Sequence, residues 1–101
     1  MEIVFLAAAQ AELDETVLYY AKQREGLGDD FADEVERAIK RIIQFPQAWS
    51  LVSGKTHRCI TNRFSYGVLY QVRGNTLFIV AIMHLHREPD SWESRLPIQE
   101  R

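Results

Sequence analysis

The stretch that decides the fold spans residues 66–83 and reads YGVLYQVRGNTLFIVAIM. Apolar residues alternate from Tyr66 to Val72, as in a strand with one buried face. Residues 77–83 are apolar at every position, which is typical of a strand covered on both faces. The intervening residues 73–75 favour a tight turn, because Gly and Asn accept positive φ. The stretch therefore predicts an antiparallel hairpin whose second strand is central in a sheet.

Two helices are predicted before this hairpin. Residues 3–5 form a short apolar run, which indicates an opening strand. The Ala-rich stretch 7–24 places its larger apolar residues at helical spacing, and glycines end it. In residues 30–45 the apolar positions step by four and three, and Pro46 blocks continuation of the helix. A short glycine loop between two such segments predicts an antiparallel helical hairpin.

The remaining segments complete the predicted order β-α-α-β-β-β. We expect a loop at 46–56 and a short strand at 58–61. The predicted fold class is α+β, with an N-terminal strand and a helical hairpin packed on a small antiparallel sheet. Residues 88–101 are polar and contain two prolines, so we predict a loosely held tail that Trp92 and Leu96 anchor.

The composition of the 101-residue chain is that of one globular domain, and we predict a single domain over 1–101. No apolar run approaches the roughly 20 residues that a membrane span requires, and no signal peptide is recognisable. Cys59 is the only cysteine, which excludes an internal disulfide and a zinc site built from thiolates. We therefore expect a cytoplasmic protein with reduced thiols and no cofactor.

Charge is divided unevenly along the chain. Residues 1–50 carry ten acidic and five basic side chains, whereas residues 51–101 carry four acidic and seven basic ones. Residues 51–87 contain no Asp or Glu but hold all three histidines, His57, His84 and His86. A basic sheet face that binds an acidic or polyanionic partner is one interpretation. A basic face that only balances the acidic helices is the other.

Three kinds of site are compatible with these residues. His84 and His86 form an H-x-H pair, but a metal would need a third ligand, and we expect none. A basic sheet face could instead dock a protein segment without chemistry. The third kind of site is one for metal-free RNA cleavage, because histidine can transfer protons and arginine can bind phosphate. Its available groups are His84, His86, Arg58, Arg63 and Arg87, with Tyr66, Tyr70 and Trp92 for base stacking.

Four pieces of the sequence, taken in order, carry a resemblance to a known family. They are IVFLAAAQAEL at 3–13, RIIQFPQAW at 41–49, FSYGVLYQVRGNTLFIVAIMH at 64–84, and the pattern His84-x-x-Arg87-x-Pro89. Together they cover nearly the whole chain, which resembles the RelE/ParE superfamily of bacterial toxins from type II toxin–antitoxin modules. The last piece is the most specific and is similar to the C-terminal signature of the ParE branch.

The resemblance implies a small α+β toxin of a plasmid stabilisation module, held inactive by an antitoxin whose flexible C-terminal segment wraps around it. RelE-like members cleave mRNA on the ribosome, whereas ParE-like members poison DNA gyrase. Nuclease members usually carry an arginine where this chain has Gly67, and a tyrosine roughly where it has Trp92. Trp92 lacks a hydroxyl for proton transfer, so these departures favour the ParE-like interpretation.

We accordingly expect a toxin that inhibits gyrase by binding rather than by catalysis. The helical hairpin would dock the antitoxin, and Pro89 would set the direction of the tail through its fixed φ. Two alternatives stay open, a ribosome-dependent mRNA endoribonuclease that uses the histidines and arginines above, and a non-toxic partner-binding module. The expected target-binding residues are His84, Arg87, Pro89 and Trp92, supported by Arg58 and Arg63.

Overall fold

The computed structural model of the protein describes residues 1–87 together with Trp92 and Arg95. The five strands form one sheet in the order β1-β5-β4-β3-β2, in which β1 runs parallel to β5 and the other neighbours are antiparallel. The predicted α+β class, with a helical hairpin packed on a sheet, is confirmed. The elements are β1 (Glu2–Phe5), α1 (Ala7–Gln23), α2 (Leu27–Gln44), β2 (Ser50–Ser53), β3 (Thr56–Ile60), β4 (Tyr66–Arg73) and β5 (Thr76–His84).

Strand β2 lies inside the segment 46–56, where the sequence predicts a loop. Gly54, at φ 49°, turns the chain so that β2 pairs with β3, with Ser50 opposite Arg58. The four residues of β2 are too few and too polar to show a strand period, so pairing with β3 determines this strand. The sheet therefore has one strand more than predicted. It is also mixed rather than purely antiparallel, because β1 joins β5 in parallel.

Helix α2 begins three residues before its predicted start. Gly26 adopts the left-handed conformation at φ 81° immediately before the helix, whereas Gly28 lies within its first turn. A Cβ at Gly28 would stand 2.6 Å from the carbonyl oxygen of Val17, so the glycine allows α1 and α2 to approach closely. Asp29 and Asp30 consequently lie in the first turn, where their negative charge complements the helix dipole.

The main core lies between the two helices and one face of the sheet. Phe31 of α2 is fully buried, and its ring centroid lies 4.9 Å from that of Tyr66 and 5.3 Å from that of Phe64. The apolar stripe predicted for α2 therefore faces the sheet. Its buried members are Phe31, Val35, Ala38, Ile39 and Ile42, and the sheet contributes Cys59, Val68, Tyr70, Leu77, Ile79 and Ile82.

The opposite face of the sheet carries a second, smaller core. Leu69, Val80, Ala81 and Met83 are buried there against Trp92, which is fully buried itself. The prediction that residues 77–83 form a central strand covered on both faces is confirmed. Trp92 provides the predicted anchor of the C-terminal segment, whereas Leu96 lies outside the described residues.

Next to a β-bulge, the carboxylate of Glu12 on α1 contacts both β5 and Arg95. The register shifts between Leu69 and Tyr70, which leaves Val80 of β5 without an opposite residue on β4. Past the bulge, the backbone N–H of Ile82 donates to a Glu12 carboxylate oxygen at 3.1 Å. Arg95 donates to both oxygens of that carboxylate, at 2.8 and 3.0 Å. Glu12 thus holds the C-terminal segment against the sheet through a bidentate pair.

The buried phenol of Tyr70 makes stability sensitive to alkaline pH. Its hydroxyl donates to the carbonyl oxygen of Pro46 at 2.6 Å, and burial raises its pKa to about 12. An unfolded chain releases the tyrosine proton near pH 10, so the free energy of unfolding is intact below pH 10 and falls as the pH rises toward 12. Between pH 9 and pH 11.5, we expect the free energy of unfolding of the wild type to fall by about 2 kcal/mol more than that of the Tyr70→Phe variant.

Urea unfolding at a series of pH values measures this difference. Tyr19→Phe is the matched control, because its ring is 57% exposed and the substitution should leave the alkaline loss as in the wild type. Equal losses in the wild type and Tyr70→Phe would contradict the prediction.

Candidate functional site

The second core borders a small cavity, which we call the basic cavity. It has a volume of about 30 Å³ and draws its walls from four strands, the turn after β5 and the C-terminal segment. Four of the predicted target-binding residues, distant in sequence, meet here: Arg58, His84, Arg87 and Trp92. The complete lining is Val52, Arg58, Leu69, Met83, His84, Leu85, Arg87 and Trp92.

Arg58 enters the basic cavity by crossing a strand that lacks a side chain at the crossing point. Arg58 on β3 and Gly67 on β4 lie on paired strands, and a Cβ at Gly67 would stand 2.8 Å from both Cγ and Cδ of Arg58. Because Gly67 has no Cβ, the stem of Arg58 lies flat across β4. Gly67 is thus a positioning residue for Arg58, a relation that no spacing in the sequence indicates.

Two buried N–H groups of this region have no acceptor among the described residues. They are Nε of Arg58 and Nε1 of Trp92. Leaving such a donor unsatisfied costs about 1–3 kcal/mol, and native proteins pair the great majority of them. Both nitrogen atoms are shielded from solvent, so a group bound in the cavity does not reach them.

Of the two neighbouring histidines, His84 lines the cavity, whereas His86 is not part of its lining. The ring of His84 stands edge-on to Tyr66 at 5.2 Å, and its Nδ1 accepts the backbone N–H of His86 at 3.2 Å. His57 lies elsewhere, stacked on Tyr70 with its Nδ1 2.8 Å from the Trp49 carbonyl oxygen. Within the described part of the chain, no three His, Cys, Asp or Glu side chains are arranged to hold a metal.

One further predicted target-binding residue, Arg63, does not line the cavity. Arg63 lies between β3 and β4, where its backbone N–H donates to the buried Glu34 carboxylate at 2.8 Å. Its guanidinium stands 3.8 Å from the carboxylate of Asp30 and lies over the ring of Phe64. Arg63 therefore ties this loop to α2. Pro89 lies outside the described residues.

A second surface feature, the apolar groove, lies between β1 and the helical hairpin. It has a volume of about 460 Å³, and Ile3 and Ile43 on its walls are 42% and 39% exposed. Strand β1 is an edge strand, since it lies at the end of the sheet order. The groove thus combines exposed apolar area with free backbone groups. Its lining is Ile3, Phe5, Leu13, Ala32, Val35, Glu36, Ile39, Lys40 and Ile43.

The fold is shared with a protein of known structure. The chain is similar to one in the solved structure "Chromosomal ParDE TA system from P. aeruginosa", with a TM-score of 0.62 and 14% sequence identity. The similarity covers 85% of this chain and 97% of that chain. This places the protein in a class of small α+β proteins with a helical hairpin on a mixed sheet.

The family follows from the sequence. Residues 3–89 match the family model described as the ParE toxin of the type II toxin–antitoxin system, parDE. The chain therefore belongs to the ParE toxin family of type II toxin–antitoxin systems, as the resemblance predicts. No curated protein sequence matches it. Among the described residues, no helix is both long and apolar enough to cross a membrane.

Proposed function

We propose that this ParE-family toxin acts in the bacterial cytoplasm by binding DNA gyrase through the basic cavity. The observation that carries the proposal is the convergence of Arg58, Arg87 and Trp92 on one cavity that no acidic side chain of the described chain lines. Arg87 is exposed, whereas Trp92 is fully buried below it. Arginine is among the residues that dominate protein–protein binding energies, so the exposed Arg87 is available to a partner, whereas Trp92 is packed in the core.

The same geometry gives little support to the endoribonuclease alternative. Tyr70 is fully buried in the core and donates its hydroxyl to Pro46, so it cannot stack on a base. His84 packs against Tyr66, and Gly67 offers no side chain to hold a phosphate.

The order in which DNA synthesis and protein synthesis stop tests whether gyrase is the target. After induction in a bacterial host, thymidine incorporation is expected to stop before methionine incorporation. If methionine incorporation stops first, the ribosome and mRNA are the target and the proposal fails. Normal growth with soluble, folded protein would favour a non-toxic binding module instead.

Arg87→Ala is expected to reduce inhibition of gyrase supercoiling by roughly tenfold or more, since arginines that anchor interfaces contribute 2 kcal/mol or more. The fold should persist, because Arg87 is exposed. Arg24→Ala is the matched control, as it removes an equally exposed arginine at the end of α1, far along the chain from the cavity. Full inhibition by Arg87→Ala would refute the assignment of Arg87 to the target surface.

We also propose that the cognate antitoxin docks in the apolar groove. The groove exposes Ile3 and Ile43 beside a free strand edge, which suits a segment that adds backbone hydrogen bonds and buries apolar side chains. Glu36 and Lys40 at the groove are exposed and form an ion pair with each other at 3.4 Å. The helical hairpin would then contribute one wall of the antitoxin site, in agreement with the expectation from the sequence.

A further inference from the structure

Past the end of β1, two side chains pair with the backbone of β5. Strand β1 pairs with β5 as far as Ile79. Beyond that point, the backbone N–H of Ile82 donates to Oε1 of Glu12 at 3.1 Å. Nη1 of Arg95 donates to the carbonyl oxygen of Val80 at 3.4 Å. Glu12 and Arg95 therefore pair with backbone groups of β5 that lie beyond the reach of β1.

The same two side chains are also paired with each other. Arg95 donates through Nη1 and Nη2 to the two carboxylate oxygens of Glu12, at 2.8 and 3.0 Å. The side chains of Arg95 and Glu12 are only 22% and 16% exposed, so solvent screens the pair weakly. Charge-assisted bidentate bonds fix geometry as well as adding energy. The carboxylate of Glu12 thus accepts three hydrogen bonds, which join α1, β5 and the C-terminal segment.

The segment that contains Arg95 also carries Trp92, which lies next to the proposed target surface. Trp92 is fully buried on the sheet, and it lines the basic cavity together with Arg87. On its other side, Arg87 is tied to the end of β5, since its backbone N–H donates to the carbonyl oxygen of His84 at 3.0 Å. Arg87 therefore lies between two anchors, the end of β5 and the buried indole. Release of Trp92 from the sheet would free the chain that follows Arg87 and remove one wall of the cavity.

We infer that Glu12 is a positioning residue for the target surface. By holding Arg95 it keeps Trp92 docked on the sheet, and the docked indole fixes the chain that carries Arg87. The inference rests on the proposed function, because it says how the surface assigned to the target is held in place. Without the carboxylate of Glu12, the C-terminal segment is undocked for a larger fraction of the time.

Deuterium exchange of the Trp92 indole N–H measures undocking on the isolated, full-length chain. The indole nitrogen is shielded from solvent, so its proton exchanges only when the segment opens. Glu12→Gln keeps an oxygen acceptor for the N–H of Ile82 but removes the charge that pairs with Arg95. The exchange rate of Trp92, followed by NMR on ¹⁵N-labelled protein, should rise about tenfold, as loss of one charged hydrogen bond does.

Two controls separate release of the segment from a general loss of stability. The Trp49 indole donates to the carbonyl oxygen of Arg41 at 3.4 Å, and its exchange rate should be the same in the wild type and in Glu12→Gln. Glu15→Gln removes an exposed carboxylate from the same helix and should leave the Trp92 rate unchanged. An unchanged Trp92 rate in Glu12→Gln would overturn the inference. Faster exchange at both indoles would overturn it as well, because it would indicate unfolding of the whole domain.

Reversing the charges tests the ion pair itself. Glu12→Lys places a cation beside Arg95, and it should speed Trp92 exchange roughly 100-fold, since charged hydrogen bonds are lost and like charges repel. Adding Arg95→Glu restores opposite charges, and the rate should then fall back about tenfold. A double variant that exchanges as fast as Glu12→Lys would overturn the inference.

Inhibition of gyrase supercoiling separates failure of this inference from failure of the proposed function. Target affinity falls with the docked fraction, so Glu12→Lys should inhibit about tenfold less well than the wild type, and adding Arg95→Glu should recover inhibition. If the wild type inhibits gyrase and Glu12→Lys does so equally well despite fast Trp92 exchange, the inference is wrong and the proposed function stands. If the wild type does not inhibit gyrase, the proposed function fails and the role of Glu12 at the target surface fails with it, whereas the exchange rates still show whether Glu12 holds the segment.

Discussion

Gly67→Ala is expected to reduce the proposed inhibition of gyrase by tenfold or more while leaving the fold intact. A Cβ at this position would lie 2.8 Å from Cγ and Cδ of Arg58, so the arginine stem must leave its place across β4. The Arg58 guanidinium then no longer reaches the basic cavity. Loss of one charged hydrogen bond of about 1.5–3 kcal/mol corresponds to a 10- to 100-fold loss of affinity. Supercoiling assays with purified variants measure it.

A double-mutant cycle shows whether Gly67→Ala acts through Arg58 alone. In an Arg58→Ala background, the added Gly67→Ala change is expected to have no further effect on inhibition, because there is no arginine stem left to displace. Stability should change by less than about 1 kcal/mol, since alanine in a strand also restricts the unfolded chain. Additive effects of the two substitutions would refute the positioning role of Gly67.

Ile43→Asp is expected to release the toxin from its antitoxin. Ile43 borders the apolar groove and is 39% exposed, so the isolated chain can carry aspartate there with little loss of stability. With the antitoxin docked in the groove as proposed, the carboxylate would be buried against apolar side chains without a partner, which should weaken the complex by 2 kcal/mol or more, or roughly 30-fold. Co-expressed antitoxin should then fail to restore growth.

Phe45→Asp is the matched control for this prediction. Phe45 is 57% exposed and follows the last residue of α2, but it is not part of the groove lining. The antitoxin should therefore neutralise Phe45→Asp as it does the wild type. Full neutralisation of Ile43→Asp would show that the antitoxin binds elsewhere.

Local patterns predicted most of the fold. The all-apolar run at 77–83 placed β5 in the interior of the sheet, and the stripe containing Phe31 and Ile42 placed α2 on the core. Both signals arise from burial, which acts on every residue of a strand covered on both faces and on every third or fourth residue of a helix. Strand β2 was missed because its four residues carry no such period. The parallel pairing of β1 with β5 was missed because it joins residues more than seventy positions apart.

The candidate site, like the fold, was predicted only in part from the sequence. The sequence pointed to Arg58, His84, Arg87 and Trp92 through charge and a family resemblance, and these four line one cavity. It also pointed to Arg63, which the structure places against Asp30 and Phe64 instead. No local pattern distinguishes one exposed arginine from another, because their positions depend on how strands are paired.

By itself, the sequence determined the secondary structure that burial imposes, the concentration of basic residues after position 50, and membership of the ParE toxin family. Only the tertiary structure decided that Arg58 crosses Gly67, that two N–H donors lie buried with no acceptor among the described residues, and that Glu12 holds Arg95 beside the bulge of β5. The physical reason is the range of the interactions. Hydrophobic periodicity depends on residues that are close in the sequence. The register of a sheet and the satisfaction of buried donors depend on groups that meet only when the chain has folded.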